Sequence, residues 1–235
     1  MKTVAPSVIE DLARYDSATV QNAAILVRGH VPAHDDYSGP ELKCMAPDFG
    51  TLVGYAVTAE ATGLHEPAER SDPSAGSGQD WNNYYDAIAS AKVPTIGVLK
   101  DVDVSTGRAA IMGDGMAYRH RALGCLGVVV DGSARDVEGI RKAGCGLWAT
   151  SRVPGHGPFN MVRCNSPVLV AGLRVVPGDI LVCDADGVTR VPLDIAADVA
   201  RMCAEVREKE AAMHRYFSAP DFTLEKYAAW KASRG

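Results

Sequence analysis

The stretch GDGMAYRHRALGCLGVVVDGSARD, residues 113–136, decides how the chain reads. After Asp114 it has the composition of a short helix, and Gly124 stops it. LGVVVDG (126–132) follows as an apolar run of strand length, the pattern of a strand covered on both faces. Arg135-Asp136 then opens a second short helix, DVEGIRKAG (136–144), stopped by Gly144. Two acids therefore stand where a loop enters a helix. Asp is a favoured N-cap worth about 1 kcal/mol, so capping is one account of both. The other account is chemical. Open α/β sheets place ligand sites at the carboxyl ends of their strands. The first-turn amides of Gly115 and Met116 suit an anion such as a carboxylate. Arg135 beside Asp136 offers a planar cation for a carboxylate and an oxygen ligand for a hard metal ion. For Arg135 the structural alternative is a salt bridge to Asp131 or Glu138.

Outward from this stretch the chain alternates. WNNYYDAIASA (81–91) reads as helix, VPTIGVLKDV (93–102) and GLWATS (146–151) as strands, and TLVGYAVTAEA (51–61) as a strand further upstream. Short strands between short helices predict an α/β core with some parallel pairing. Residues 6–27 read as helical, with Ser7 as cap, Glu10 at the capping-box position, and a second stretch from Ala18 to Val27 ending at Arg28-Gly29. His34-Asp35-Asp36 lies in a polar segment and reads as a solvated loop rather than a metal site. ERSDPSAGSGQD (69–80) reads as a flexible surface loop without the G-K-[ST] of a phosphate-gripping turn. From 167 to 192 the pattern is a β meander, with Asp184 and Asp186 in a turn rather than a calcium loop. Leu193 to Phe217 reads as a long helix with Ile195, Val199, Met202, Val206 and Met213 near one face, and the tail from Ser218 as a docking arm.

Composition sets the outer limits. With 235 residues, 47% of them hydrophobic, the chain can bury one substantial core, so 1–235 is expected to be a single domain with a C-terminal helix and tail from about 193. A net charge of −5 without a Lys/Arg run argues against nucleic acid as partner. No basic amphipathic segment and no apolar stretch near 18 residues argues for a membrane role. MKTVAPSVIEDLARY at the start has no apolar signal core, so a cytoplasmic location is expected. The six cysteines form no C-x-x-C pair and read as buried free thiols.

The G-D-x20-R-D spacing, inside LGVVVDGSARDVEGIRKAG and followed by VVPGDILVCDADGVTRVP, resembles the 4-hydroxy-4-methyl-2-oxoglutarate / 4-carboxy-4-hydroxy-2-oxoadipate aldolases. These are class II pyruvate aldolases that share their fold with the regulator of ribonuclease activity A. The resemblance runs from about SATVQNAA (17–24) through GTLVGYAVTA (50–59) to the long C-terminal helix. It implies a swivelling β/β/α core of the phosphohistidine-domain type. It also implies a homotrimer or homohexamer with sites between protomers.

Carried over by residue, the resemblance makes Asp136 the direct ligand of a divalent ion, Mg2+ or Mn2+. Arg135 would bind the pyruvyl oxygens and Asp114 would hold or deprotonate a water. Gly113, Gly115 and Met116 would cradle the carboxylate of a 2-oxo acid. The family often has an acid where this chain has Asn22, and an amide can hold a water but cannot take its proton. A further acid from the C-terminal helix of a neighbouring copy is expected, with Glu208 and Glu210 both open. The implied reaction is metal-dependent retro-aldol cleavage of a 4-hydroxy-2-oxo acid to pyruvate and a second oxo acid, with oxaloacetate decarboxylation at the same site. Two alternatives are another metal-dependent lyase on that site and a non-enzymatic regulator that binds a protein.

Overall fold

A computed structural model describes residues 2–31, 36–63 and 78–232, those of 78–80 by backbone alone. Its strands are β1 (Lys43–Cys44), β2 (Leu52–Gly63), β3 (Thr95–Asp101), β4 (Ala110–Met112), β5 (Cys125–Ala134), β6 (Gly146–Arg152), β7 (Phe159–Cys164), β8 (Val168–Val170), β9 (Leu173–Val175), β10 (Ile180–Cys183) and β11 (Val188–Val191). Its helices are α1 (Pro6–Leu12), α2 (Ser17–Arg28), α3 (Gly78–Ala91), α4 (Asp114–Ala122), α5 (Val137–Lys142), α6 (Ala196–Phe217) and α7 (Leu224–Ala232). The main sheet runs β1-β6-β5-β3-β2-β10-β11, with β4 added to β5 and β7 to β2. Its centre is parallel, β2 on β3, β3 on β5 and β5 on β6, as the alternating strands and helices require.

The apolar run of β5 is buried on both faces. Val128 and Val130 pack with Tyr84, Tyr85 and Ile88 of α3, Ala117 of α4 and Ile140 of α5. Val129, between them, points the other way and packs with Trp148 and with Val168, Val170, Leu173 and Val175 of the β8–β9 hairpin. A third cluster lies toward the β10 side, where α1, α2 and α6 cover Val53, Tyr55, Ile180 and Val182. A hairpin layer, a mixed sheet and a helix layer together give the β/β/α arrangement, with α6 as the long C-terminal helix.

Several expectations change in detail. The 167–192 segment is not one meander. The β8–β9 hairpin stands apart as its own two-stranded sheet, and β10–β11 joins the main sheet beside β2. The turn at Pro177-Gly178-Asp179 locks that junction, because Gly178 N donates to Ala56 O at 2.9 Å and Ala56 N to Asp179 O at 2.8 Å. The two helical stretches of 6–27 are α1 and α2, with Gly29 closing the second, and only the first cap differs. Pro6 at the first helical position makes Ala5 the N-cap in place of Ser7, and Asp16 caps α2 by accepting from Thr19 N at 2.7 Å. Asp184 does sit in a turn, where its carboxylate accepts from Asp186 N at 3.0 Å and from the Ser17 hydroxyl at 2.8 Å.

Asp36 is not solvated. It is 1% exposed and held by the guanidinium groups of Arg28 and Arg190, at 3.3 and 3.2 Å from its Oδ1. A buried carboxylate needs such partners. His34, Asp35 and most of the 69–80 loop lie outside the described residues, and Gly78–Asp80 already belong to α3. The cysteines are free thiols, with Cys125, Cys145, Cys183 and Cys203 buried. No helix among the described residues is long and apolar enough to cross a membrane.

Candidate functional site

The short strand β4, not evident from the sequence pattern, explains why the two acids meet. It pairs in parallel with the end of β5, Ala110 opposite Ser133 and Met112 opposite Ala134, and Arg135 N donates to Met112 O at 2.9 Å. The chain therefore leaves both strands side by side, at Gly113 and at Arg135. Gly113 lies so close to the Arg135-Asp136 pair that a Cβ there would stand 3.3 Å from Asp136 Oδ2 and 3.5 Å from Arg135 Nε.

Neither acid caps a helix with its side chain. Gly113, not Asp114, is the N-cap of α4, and the Asp114 Oδ1 accepts from Gly115 N at 2.7 Å. Asp136 is the N-cap of α5, but in a left-handed conformation (φ 55°) that makes no side-chain cap bond. Its Oδ2 lies 3.1 Å from Arg135 Nε. The alternative partners of Arg135 are engaged elsewhere: Asp131 with Lys100 at 2.6 Å and Glu138 with Arg141 at 3.2 Å. Of the two amides expected to hold a carboxylate, that of Gly115 is bonded to Asp114 here.

A cavity of about 210 Å³ opens beside these groups; Asp114 and Arg135 line it, and Asp136 stands behind Arg135, outside the lining. Gly113, Asp114, Gly115, Met116 and Arg135 line one side, and Trp81, Ala110, His156 and Phe159 the other. The aromatic side is a connected wall, since Trp81 packs on Phe159 with ring centres 5.4 Å apart and on Tyr85 at 6.0 Å. Two supporting positions escaped the sequence reading. Gly139 faces Asp114, where a Cβ would fall 2.7 Å from Asp114 Cβ and 2.8 Å from its Oδ2. A glycine inside a short helix costs roughly 1 kcal/mol against alanine, and that cost was the available signal. The other is His120, fully buried in α4, whose Nδ1 bonds Met116 O at 2.7 Å and whose Nε2 bonds the Tyr84 hydroxyl at 2.8 Å.

Asn22, Glu208 and Glu210 do not line this cavity. Asn22 Nδ2 donates to Glu210 Oε1 at 3.3 Å, where α2 packs on α6. Glu208 borders a separate surface depression with Glu205 and Lys209.

A family model described as Aldolase/RraA matches residues 22–190. The chain belongs to the Aldolase/RraA family. The family match ends before α6. A 4-hydroxy-4-methyl-2-oxoglutarate aldolase of Thermus thermophilus is 34% identical over 91 residues, 36% of this chain and 52% of its own. An uncharacterized protein of Methanocaldococcus jannaschii is 31% identical over 132 residues, 56% of this chain and 63% of its own. The chain thus spans about half to two thirds of the length of these curated relatives. The fold extends further. An uncharacterized protein from Pseudomonas syringae pv. tomato superposes with a TM-score of 0.72 at 24% identity, covering 96% of this chain and 94% of its own. RraAS2 of Streptomyces coelicolor, described as an unusual member of the RNase ES inhibitor RraA family, gives 0.71 at 20% identity over 91% of this chain and 98% of its own.

Burial pushes His120 down to about 4 from the usual 6.5; the Met116 carbonyl opposes the shift and the Arg119 charge adds to it. The unfolded chain therefore takes up this proton at a higher pH than the folded one. Stability held above pH 6.5 is lost as the pH falls toward about 4. The loss expected from this residue is about 3 kcal/mol. Urea unfolding at pH 7 and pH 4 should show it in the parent protein and show less of it in His120→Asn. An equal acid loss in both proteins would contradict the assignment.

Proposed function

We propose that the protein cleaves a 4-hydroxy-2-oxo di- or tricarboxylic acid by a retro-aldol reaction, giving pyruvate and a second oxo acid, and that oxaloacetate loses carbon dioxide at the same site. The observation that carries this reading is a pair of carboxylates free of capping duty, beside Arg135 and a helix N-terminus. A cavity of about 210 Å³ falls below the roughly 300–1,000 Å³ of pockets for drug-sized ligands, which suits a short acid.

Asp136 fits a hard divalent ion, magnesium or manganese. Its carboxylate is about two-fifths exposed (38%) and bound to no backbone N–H cap. One carboxylate, with water and substrate oxygens completing the shell, is a form of protein site that magnesium accepts. Among the described residues no group of three or more His, Cys, Asp or Glu could hold a metal, so the chain offers a sparse site rather than a closed cage. An ion at Asp136 would supply Lewis-acid polarisation of the 2-oxo group.

The other roles fall to the chain itself. The α4 N-terminus, with the Met116 amide, receives the substrate carboxylate. Arg135 stabilises negative charge as it collects on the C2 oxygen. Asp114, through a water, takes the proton of the 4-hydroxyl. The O–H electron pair then forms the new carbonyl at C4, and the C3–C4 pair moves into the enolate. A proton returned to C3 completes pyruvate. In oxaloacetate, carbon dioxide leaves instead, and no hydroxyl needs a base.

Asn22, Glu208 and Glu210 lie off the cavity, so they can act only across an interface between copies. A protein that light scattering finds active as a monomer would remove them from the reaction. Pyruvate release from 4-hydroxy-4-methyl-2-oxoglutarate should stop in EDTA and return with magnesium or manganese, and Asp114→Asn should lose roughly 10²–10⁴-fold. Full turnover in chelator would overturn the proposal. No release from any 4-hydroxy-2-oxo acid with metal present would favour a non-enzymatic binding protein instead. Gly139→Ala should gain helix propensity, by up to about 1 kcal/mol, while its Cβ displaces the Asp114 carboxylate. Displacement of a reacting group by about 1 Å can cost 10²-fold, so turnover should fall well beyond any loss of melting temperature from crowding the Asp114 Cβ. Parent-like turnover in Gly139→Ala would mean that Asp114 needs no such placement.

A further inference from the structure

His120 is an unusual residue to bury. It is 0% exposed in a helix interface that a leucine or methionine would fill without polar cost. Three residues of β3 and α3 shape its place. Gly97 of β3 lacks the Cβ that would collide with the Tyr84 hydroxyl. Tyr84 of α3 meets Nε2 at 2.8 Å. Its neighbour Tyr85 packs edge-on to the imidazole at 5.3 Å and carries the Arg119 guanidinium over its face at 3.7 Å.

The hydrogen bonds fix the tautomer. Met116 O can only accept, so His120 Nδ1 carries the proton and donates it. Nε2 is then the acceptor, and Tyr84 donates to it. The carbonyl at the end of this relay belongs to Met116, which lines the cavity, and the next amide, Ala117 N, closes the first turn of α4 by donating to Gly113 O at 3.1 Å. The first turn of a helix has free N–H groups and is the part most prone to fray. Here a side chain pins the Met116–Ala117 peptide, the one that closes this turn, from inside the core.

We propose that His120 is a positioning residue for substrate binding: its Nδ1–H holds the Met116 peptide, and Tyr84 orients the ring, so that the α4 amides stay turned toward the carboxylate of the 2-oxo acid. This rests on the reaction proposed above. It also makes the register of α3 part of the site, because Trp81, Tyr84 and Tyr85 lie one helical turn apart and face Met116, Arg119 and His120 at the same spacing on α4.

Two substitutions separate positioning from packing. The amide nitrogen of asparagine is as many bonds from the backbone as Nδ1 and donates as it does, and the amide oxygen of glutamine is as many as Nε2 and can accept from Tyr84. His120→Asn keeps the donor to Met116 O and loses Tyr84; His120→Gln does the reverse. Both should lower the melting temperature. Calorimetric binding of pyruvate with magnesium should stay within about twofold of the parent in the Asn variant and weaken about tenfold in the Gln variant, about 1.4 kcal/mol. Tyr84→Phe should fall between them. Amide exchange over residues 113–118, followed by mass spectrometry without ligand, should accelerate in His120→Gln and not in His120→Asn. Asn and Gln variants that match in both affinity and exchange would overturn the inference. If the parent protein binds no pyruvate, the proposed reaction falls, and the exchange comparison alone then decides whether His120 positions the α4 turn.

Discussion

One backbone hydrogen bond organises this molecule's site: Arg135 N to Met112 O, at 2.9 Å. It is the last rung of the parallel pairing between β4 and β5, and past it the two chains diverge into separate helices. The polar side of the cavity follows from that divergence. Gly113 and Arg135 emerge side by side, α4 begins with Asp114, and α5 begins after Asp136. The strand has only three residues, with Ile111 and Met112 fully buried, yet without it Asp114 and the Arg135-Asp136 pair would leave the sheet at unrelated points.

The second constraint is the absence of side chains where carboxylates must fit. Gly113 lets the Arg135-Asp136 pair approach α4, and Gly139 lets Asp114 lie against α5. Asp136 takes the left-handed conformation at φ 55°, which Asn and Asp tolerate better than other non-glycine residues. The helix N-caps are thus used for presentation. At the α5 N-cap the Asp136 side chain bonds no backbone donor and lies against the Arg135 guanidinium. The helix ends remain on a well-buried scaffold, since β5 is packed on both faces. Precise chemistry needs groups held by a rigid frame.

The parts of the fold legible in the sequence were those with a local signature. The apolar run of β5, the glycine stops at 124 and 144, and the long amphipathic α6 all announce themselves in composition and period. The family spacing of Asp114 and Arg135-Asp136 was legible for the same reason, and the Aldolase/RraA match covers it. What was not legible depends on contacts distant in sequence. The Asp36 clasp needs Arg190, which lies 154 positions away. The separation of the 167–192 segment into two sheets depends on β10, and the Gly178-Asp179 turn before it, pairing with β2 far upstream. The Tyr84–His120 pair spans 36 positions and two helices. Asp114 and Asp136 looked like caps because Asp before a helix usually is one, and only the backbone angles at 113 and 136 separate the two uses.

Whether those two acids present chemistry or merely begin helices is tested most directly at Asp136. Asparagine is as comfortable as aspartate at a positive φ and keeps a side-chain oxygen, so Asp136→Asn removes charge and little else. Melting temperature and pyruvate release from 4-hydroxy-4-methyl-2-oxoglutarate, measured with magnesium on the same preparation, give the decision. The account predicts a melting temperature close to that of the parent and a loss of turnover on the order of 10²-fold or more. Parent-like turnover in Asp136→Asn would contradict it.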